Sequence, residues 1–289
     1  EHSQRRPLCL DWIATDTDRQ SIARCWHQNT MTAPKKGRLF LVPAPLDFGC
    51  DVQQNIADSL PMVTLQTAAN IQHWVCENAK TTRAFLKRVN DICPLSQPLQ
   101  SLSIQELPRE VHKKGDHAGS LGEGFDAKPL LQSAKAGSDI GLISEAGMPA
   151  IADPGSSVVR AAHTLGIDVI PLVGPISLML ALAASGLNGQ NFAFIGYLPQ
   201  DAEPRSKRIK ELETLSRQTH QTQLFIETPY RNAALLKVLL QNLNPQTHLS
   251  LSLGLTLNEA TTCSKKVALW RQNHAELPIS LPAVFGILA

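Results

Sequence analysis

The sequence lacks most of the features that assign a chain quickly. Its six cysteines (Cys9, Cys25, Cys50, Cys76, Cys93 and Cys263) lie far apart, with no Cys-x-x-Cys pair. In a chain of this size, that spacing points to reduced packing thiols of a cytoplasmic protein rather than to a disulfide framework. No two histidines stand at ligand spacing with a cysteine or carboxylate beside them, so no metal is expected. The formal net charge is only +2, too small to imply nucleic-acid binding without a local patch. No G-x-x-x-x-G-K-[ST] phosphate loop, no G-x-G-x-x-G after the first strand and no G-x-S-x-G elbow occurs. These gaps argue against a nucleoside triphosphatase, a nicotinamide or flavin dehydrogenase, and an elbow hydrolase. Long apolar runs are scarce as well. Val169 to Leu187 is uncharged, but Pro171 and Gly174-Pro175 divide it into a strand, a turn and a new helix, so no membrane span is expected.

What is present is an ordinary globular composition, 43% hydrophobic and 18% charged over 289 residues, which is long enough for two domains. Residues 1–36 form a polar leader with Trp12 and Trp26 but no sustained pattern, and are expected to lie outside the fold. The functional chain is expected to begin near Met31.

From Leu39 to Val42 an apolar run stopped by Pro43 reads as a buried strand. A brief helix over 55–60, a weak strand at Val63-Thr64-Leu65 and a helix from about Asn70 to Val89 follow. The helix is drawn from the stripe Ile71, Val75, Ala79, Phe85, Leu86 and Val89. Residues 94–127 carry little pattern, and Asp116 to Phe125 reads as a loop. Strands at Ile140 to Ser144 and Asp168 to Val173 enclose a helix with Asp153 as cap, Pro154 at its first position and Gly166 at its exit. This is a βαβ unit, which implies parallel strands. Beyond Gly174-Pro175 come a helix over Ser177 to Ser185, strands at Phe192 to Ile195 and Gln223 to Ile226, and a charged helix between them. A helix opened by Thr228-Pro229 and strands near 249–255 and 283–288 complete the chain. The fold class is α/β, in two α/β domains over 37–174 and 175–289.

The most informative segment is G-L-I-S-E-A-G-M-P-A-I-A-D-P-G, residues 141–155. It runs from a strand's carboxyl end to a helix's amino end, where open α/β sheets bind ligands. Its small residues let a ligand approach the backbone closely. With I-P-L-V-G-P-I-S (170–177), A-S-G-L-N-G-Q-N-F-A-F-I-G-Y-L-P (184–199) and L-F-I-E-T-P-Y-R (224–231), it resembles the ordered signatures of the tetrapyrrole methylase superfamily. The nearest branch is that of ribosomal RNA small subunit methyltransferase I. The likeness is dense from Gly141 to Arg231 and thin between Cys93 and Ser138.

The resemblance implies two α/β domains, a homodimer, and S-adenosylmethionine held in the cleft between the domains. The donor is expected to meet Pro45, Ser144, Glu145, Ala146, Gly147, Ala152 and Asp153, then Pro175, Ile176 and Ser177, with Tyr197, Leu198 and Thr228 on the far side. The implied acceptor is ribosomal RNA, at a ribose hydroxyl. A different acceptor, or a protein that binds S-adenosylmethionine without catalysis, stands as the alternative.

The sequence departs from the family at the acceptor side. T-P-I-G-N becomes Ala44-Pro45-Leu46-Asp47-Phe48, E-D-T-R becomes Glu77-Asn78-Ala79-Lys80, and S-D-A-G-T-P becomes Ser144-Glu145-Ala146-Gly147-Met148-Pro149. Ile195 stands where the family has an acidic residue before G-F-L-P. Glu77 and Lys80, with Glu145 behind them, are the candidate catalytic groups for a hydroxyl acceptor. Arg205, Lys207 and Arg208, with Tyr230 and Arg231, are the candidate substrate contacts. The basic cluster reads equally as a solvated helix face whose charges alternate with Glu211 and Glu213.

Overall fold

The computed structural model describes residues 35–47, 49–50, 52–108, 111, 125–272 and 280–289. The leader apart from its last two residues, Phe48, the loop from Asp116 through Gly124, Cys9 and Cys25 lie outside the described residues. Residues 37–289 form one compact unit holding two five-stranded sheets.

The first sheet contains β1 (Leu39–Leu41), β2 (His73–Cys76), β3 (Ser103–Glu106), β4 (Ile140–Ile143) and β5 (Val169–Pro171), in the order β3-β2-β4-β1-β5. Every pairing is parallel. Parallel strands are covered on both faces, which is why β1 and β4 read as continuous apolar runs. Alternate residues serve opposite faces. Phe40 and Trp74 pack with α1 (Met62–Asn70) and α2 (Ala79–Asn90), whereas Leu39 and Val75 pack with Leu131, Val158 and Ala162. Those last residues come from a short helical segment at 128–135, including α3 (Gln132–Lys135), and from α4 (Ser156–Thr164). A Cβ on Gly141 would lie 2.7 Å from the fully buried Trp74 ring, so the close seating of that indole requires glycine in β4.

The chain then crosses through α5 (Ser177–Ser185) to the second sheet. This sheet is built from β6 (Phe192–Tyr197), β7 (Thr222–Glu227), β8 (His248–Leu253), β9 (Thr261–Lys266) and β10 (Ala283–Leu288), in the order β6-β7-β10-β8-β9. β6 and β7 run parallel across α6 (Ala202–Thr219), and the other pairs are antiparallel. One face packs Ile209, Leu235, Leu239 and Trp270 from α6, α7 (Asn232–Asn242) and α8 (Val267–Gln272) around Phe225 and Phe285. Those two rings are stacked with centroids 5.7 Å apart. The other face takes Leu178 and Ala181 of α5 against Val284. Among the described residues no helix is long and apolar enough to cross a membrane.

Four local expectations fail, each for a physical reason. Val63-Thr64-Leu65 is the first turn of α1 rather than a strand; Thr64, Leu65, Ala68 and Ala69 are buried at helical spacing, and the Thr64 hydroxyl donates to Val173 O at 2.8 Å. The expected helix over 70–89 is β2 followed by α2, because Trp74 and Val75 point to opposite cores and the Asn78 side chain caps the helix at Lys80 N and Thr81 N. The poorly patterned stretch holds β3, an edge strand with a half-polar, half-exposed sequence. Finally, Asp153 does not cap α4. The helix begins at Ser156 behind Gly155, which has φ +138° and can therefore turn the chain there without side-chain strain.

Candidate functional site

Chain order across the first sheet creates the site. From β1 the chain travels to β2 on one side, and from β4 it travels to β5 on the other, yet β1 and β4 are neighbours. The loops leaving their carboxyl ends therefore diverge and open a crevice. The loops are pinned to each other at one point: Ala44 N donates to Gly147 O at 2.9 Å, and Gly147 N donates to Ala44 O at 3.0 Å. Gly147 has φ +69°, and a Cβ there would come within 3.2 Å of Leu46. Further along the same loop Ala150 and Ala152 hold φ of 64° and 66°. A left-handed alanine costs about 1–2 kcal/mol, and such strain gathers where a loop is shaped for a ligand.

Two chambers meet at this crevice. The larger has a cavity volume of about 560 Å³ and draws its walls from both sheets: Leu46, Gly147 and Asp153 on one side, Ile176 and Ser177 from the connection, and Tyr197 and Glu227 on the other. That size suits a small organic ligand. The smaller, of about 320 Å³, is lined by Pro45, Asp47, Phe85, Arg88, Ser144 and Glu145, among others. Gly49 and Cys50 belong to both walls, so the chambers adjoin there.

Asp153 makes part of the larger chamber's floor acidic, and Glu145, in the wall of the smaller chamber, and Glu77, which lines neither, lie close enough to act on it. The Glu77 carboxylate accepts the Glu145 N–H at 3.2 Å. Burial first, and then the charges of Glu77 and Glu145, push the Asp153 carboxyl up to about 7. Across the cleft, burial, Asp153 and Glu227 push the Tyr197 hydroxyl above its usual range, against a lowering influence from Arg231. Arg231 is paired with the buried Glu227 at 2.8 Å, and its guanidinium lies 5.3 Å from the centroid of the Tyr230 ring. The chain has two tyrosines: Tyr197 ends β6 and lines the larger chamber, and Tyr230, in the short 3-10 turn Pro229–Arg231 that follows β7, is 81% exposed. Among the described residues no group of three His, Cys, Asp or Glu side chains is arranged to hold a metal ion.

The structure divides the residues singled out in the sequence. Ala146, Gly147, Ala152, Asp153, Ile176, Ser177 and Tyr197 line the larger chamber. Pro45, Ser144 and Glu145, expected beside them, line the smaller one. Pro175 is buried with its carbonyl beside Gly147. Leu198 belongs to the core of the second sheet rather than to the cleft. The Thr228 N–H and hydroxyl both donate to Glu227, between the lining residues Glu227 and Pro229. Lys80 is exposed on the first turn of α2 and lines neither chamber.

On α6, Lys207 is exposed, Arg208 pairs with Glu211 at 3.3 Å and Arg205 is partly buried. Glu213 is not part of an alternating solvated face. It is buried and accepts Asn244 N–H and the Thr247 hydroxyl. Sequence reasoning missed the Asp47–Arg88 pair, in which two guanidinium nitrogens meet both carboxylate oxygens at 3.0 and 2.7 Å.

No family model matches the chain. Among curated proteins it is similar to the ribosomal RNA small subunit methyltransferase I of Synechocystis sp., 36% identical over 220 residues that span 76% of this chain and 67% of that protein. The protein of the same name from Buchnera aphidicola is 27% identical, over 77% of this chain and 67% of its own length. That from Vibrio cholerae is 28% identical, over 75% and 65%. The chain thus spans about two thirds of the length of the curated relatives it matches. Among solved structures, the methyltransferase CobJ is 18% identical with a TM-score of 0.49, covering 87% of this chain and 94% of that one. A uroporphyrin-III-C-methyltransferase from Thermus thermophilus is 16% identical with a TM-score of 0.43, covering 87% and 92%.

Proposed function

We propose, because this chain belongs to the ribosomal RNA small subunit methyltransferase I family, that its cleft transfers the methyl group of S-adenosylmethionine to a ribose hydroxyl of ribosomal RNA. The observation that carries this reading is the larger chamber at the switch point, walled by small residues and faced by Asp153. Its residues fit the donor. The small side chains of Ala146, Gly147 and Ala152 let a polar ligand approach the backbone closely, and the acidic Asp153 suits a cationic one. The bound donor supplies an electrophilic methyl group on sulfur, so positioning by the protein carries much of the rate. The methyl carbon bonds to the acceptor oxygen as its bond to sulfur breaks, and the hydroxyl proton must leave. Glu145, in the wall of the smaller chamber, is our choice to take it. Glu77 holds the Glu145 N–H and acts through it as a positioning residue. Lys80 is left to contact the incoming strand. We divide the fold into two domains, 37–174 and 175–289, one per sheet, and read the protein as a cytoplasmic homodimer that needs no metal, as the resemblance implies.

Titration calorimetry with S-adenosylmethionine, followed by incubation of labelled donor with unmodified small-subunit ribosomal RNA, tests the reading. Saturable donor binding and label in the RNA are expected. Binding without transfer to RNA would leave another acceptor or a non-catalytic binder, and no binding to folded protein would sink all three.

The exposed lysines of α6 and the Tyr230–Arg231 pair are the RNA contacts in this reading. Each phosphate contact to a single strand contributes a slope of about −0.7 in log affinity against log salt. Lys207→Glu with Lys210→Glu is therefore expected to make the slope shallower by about 1.4. An unchanged slope would assign that face to solvent.

A further inference from the structure

The smaller chamber contains a buried hydroxyl with nothing to bond. Ser144 follows β4 directly and is 5% exposed, and its Oγ has no hydrogen-bond partner. Buried polar groups are almost always paired, because an unmade hydrogen bond costs the full desolvation of the group. Several other polar groups in the same wall are committed. The Arg88 guanidinium is held by Asp47 and by Gln54 O, and the Thr81 and Thr82 hydroxyls both donate to Asn78 O. Ser144 Oγ is thus poised to donate to or accept from a group that enters the chamber.

The chamber's shape and charge restrict that group. About 320 Å³ is at the small end for ligand sites. It has room for one sugar-and-base unit and excludes stacked neighbours. Phe85 and Ile143, both buried, offer it apolar surface for a flat ring. The Asp47–Arg88 pair neutralises itself, so a neutral guest is favoured over a phosphate. Gly49 and Cys50 join this chamber to the one assigned to the donor, which gives a short route between them.

We infer that the smaller chamber is the acceptor subsite, that it takes a single nucleoside turned out of its strand, and that Ser144 Oγ hydrogen-bonds that nucleoside. Enzymes that modify one nucleotide commonly extrude it into a snug pocket. The inference rests on the methyltransferase reading above and adds the place and the form in which the acceptor binds.

Two variants of the full chain test it. Ser144→Ala removes the hydroxyl, and Ala84→Trp, from the chamber wall on α2, fills the space. For Ser144→Ala, kcat/KM for unmodified small-subunit ribosomal RNA is expected to fall about tenfold, the worth of one hydrogen bond. Its Kd for S-adenosylmethionine should stay within about twofold and its melting temperature should not fall, since an unpaired polar group has been removed. For Ala84→Trp, transfer should be lost with donor affinity retained. If either variant weakens donor binding as much as transfer, the chamber belongs to the donor site and the inference fails. If wild type methylates the RNA and Ser144→Ala matches it, the inference fails while the methyltransferase reading stands. If wild type transfers nothing to RNA, that reading fails first and takes this one with it.

Discussion

Arg88→Ala is expected to lower the unfolding free energy by about 3 kcal/mol, near the lower end for breaking a buried ion pair. Arg88 and Asp47 retain 21% and 5% side-chain exposure, so alanine at 88 strands an almost fully buried carboxylate. The stranded group also holds the loop after β1, because Asp47 accepts Gln54 N–H as well as the guanidinium. For a fold of this size, 3 kcal/mol corresponds to a fall of about 6–12 °C in Tm. Asp47→Ala together with Arg88→Ala is expected to recover most of the loss, because no charge is then left buried without a partner. Arg88→Lys should recover little, since an ammonium cannot reproduce the two-pronged contact. Donor affinity should fall with Arg88→Ala too, since Leu46 of the same loop walls the larger chamber. A single variant as stable as wild type, measured by urea unfolding, would show that the loop does not depend on this pair.

The same pair shows where sequence reading stops. Arg88 is one of several charges on the amphipathic helix α2, and nothing in its spacing reports a partner 41 residues away. Most elements buried on both faces were legible, β2 being the exception. β1, β4, β7 and β10 appear as short apolar runs, and α5 falls on Ser177 to Ser185 as expected. Two of the four edge strands were not legible, because β3 and β9 have a neighbour on one side only and carry Ser, Gln, Thr and Lys, whereas the more apolar edge strands β5 and β6 were read. The region from Met62 to Cys76 was misread because β-branched Val63 and Thr64 favour strands locally, while burial of one helical face decides the outcome. At the site, the loop from Ser144 to Gly155 stood out by its small residues and its place after a strand. Its division between two chambers did not, since it depends on the path of the loop, which the pairing of Ala44 with Gly147 and the positive φ values at Gly147, Ala150 and Ala152 shape in ways the residue types do not announce.

Asp153→Asn is expected to separate stability from donor binding. In the folded protein Asp153 keeps its proton up to about pH 7, whereas the ordinary value is 3.8. Between those limits the folded state binds more protons than the unfolded chain, so this group's contribution to stability falls as pH rises and is fully unfavourable above 7. The whole difference corresponds to about 4 kcal/mol, and water in the open cleft reduces the measurable part to about 2. Asp153→Asn should therefore stabilise the unliganded protein at pH 8 and leave it unchanged near pH 2.5, well below the ordinary value of 3.8, where the carboxyl is protonated in both states. Donor binding should move the other way. A sulfonium beside the carboxyl favours its ionised form, so binding expels the proton and wild-type affinity gains on the variant as pH rises from 6 to 8. At pH 8 the variant is expected to bind S-adenosylmethionine about tenfold or more weakly, as for loss of a charged partner. The ratio of the two affinities is the quantity to follow, because titration of the donor's own amine cancels in it. A ratio that stays flat across this range would mean that Asp153 does not face the donor's positive charge. The acidic floor would then serve only to shape the loop. A ratio that climbs through pH 7 would mean that the cleft stores unfavourable charge in the empty protein and releases it when a cation enters.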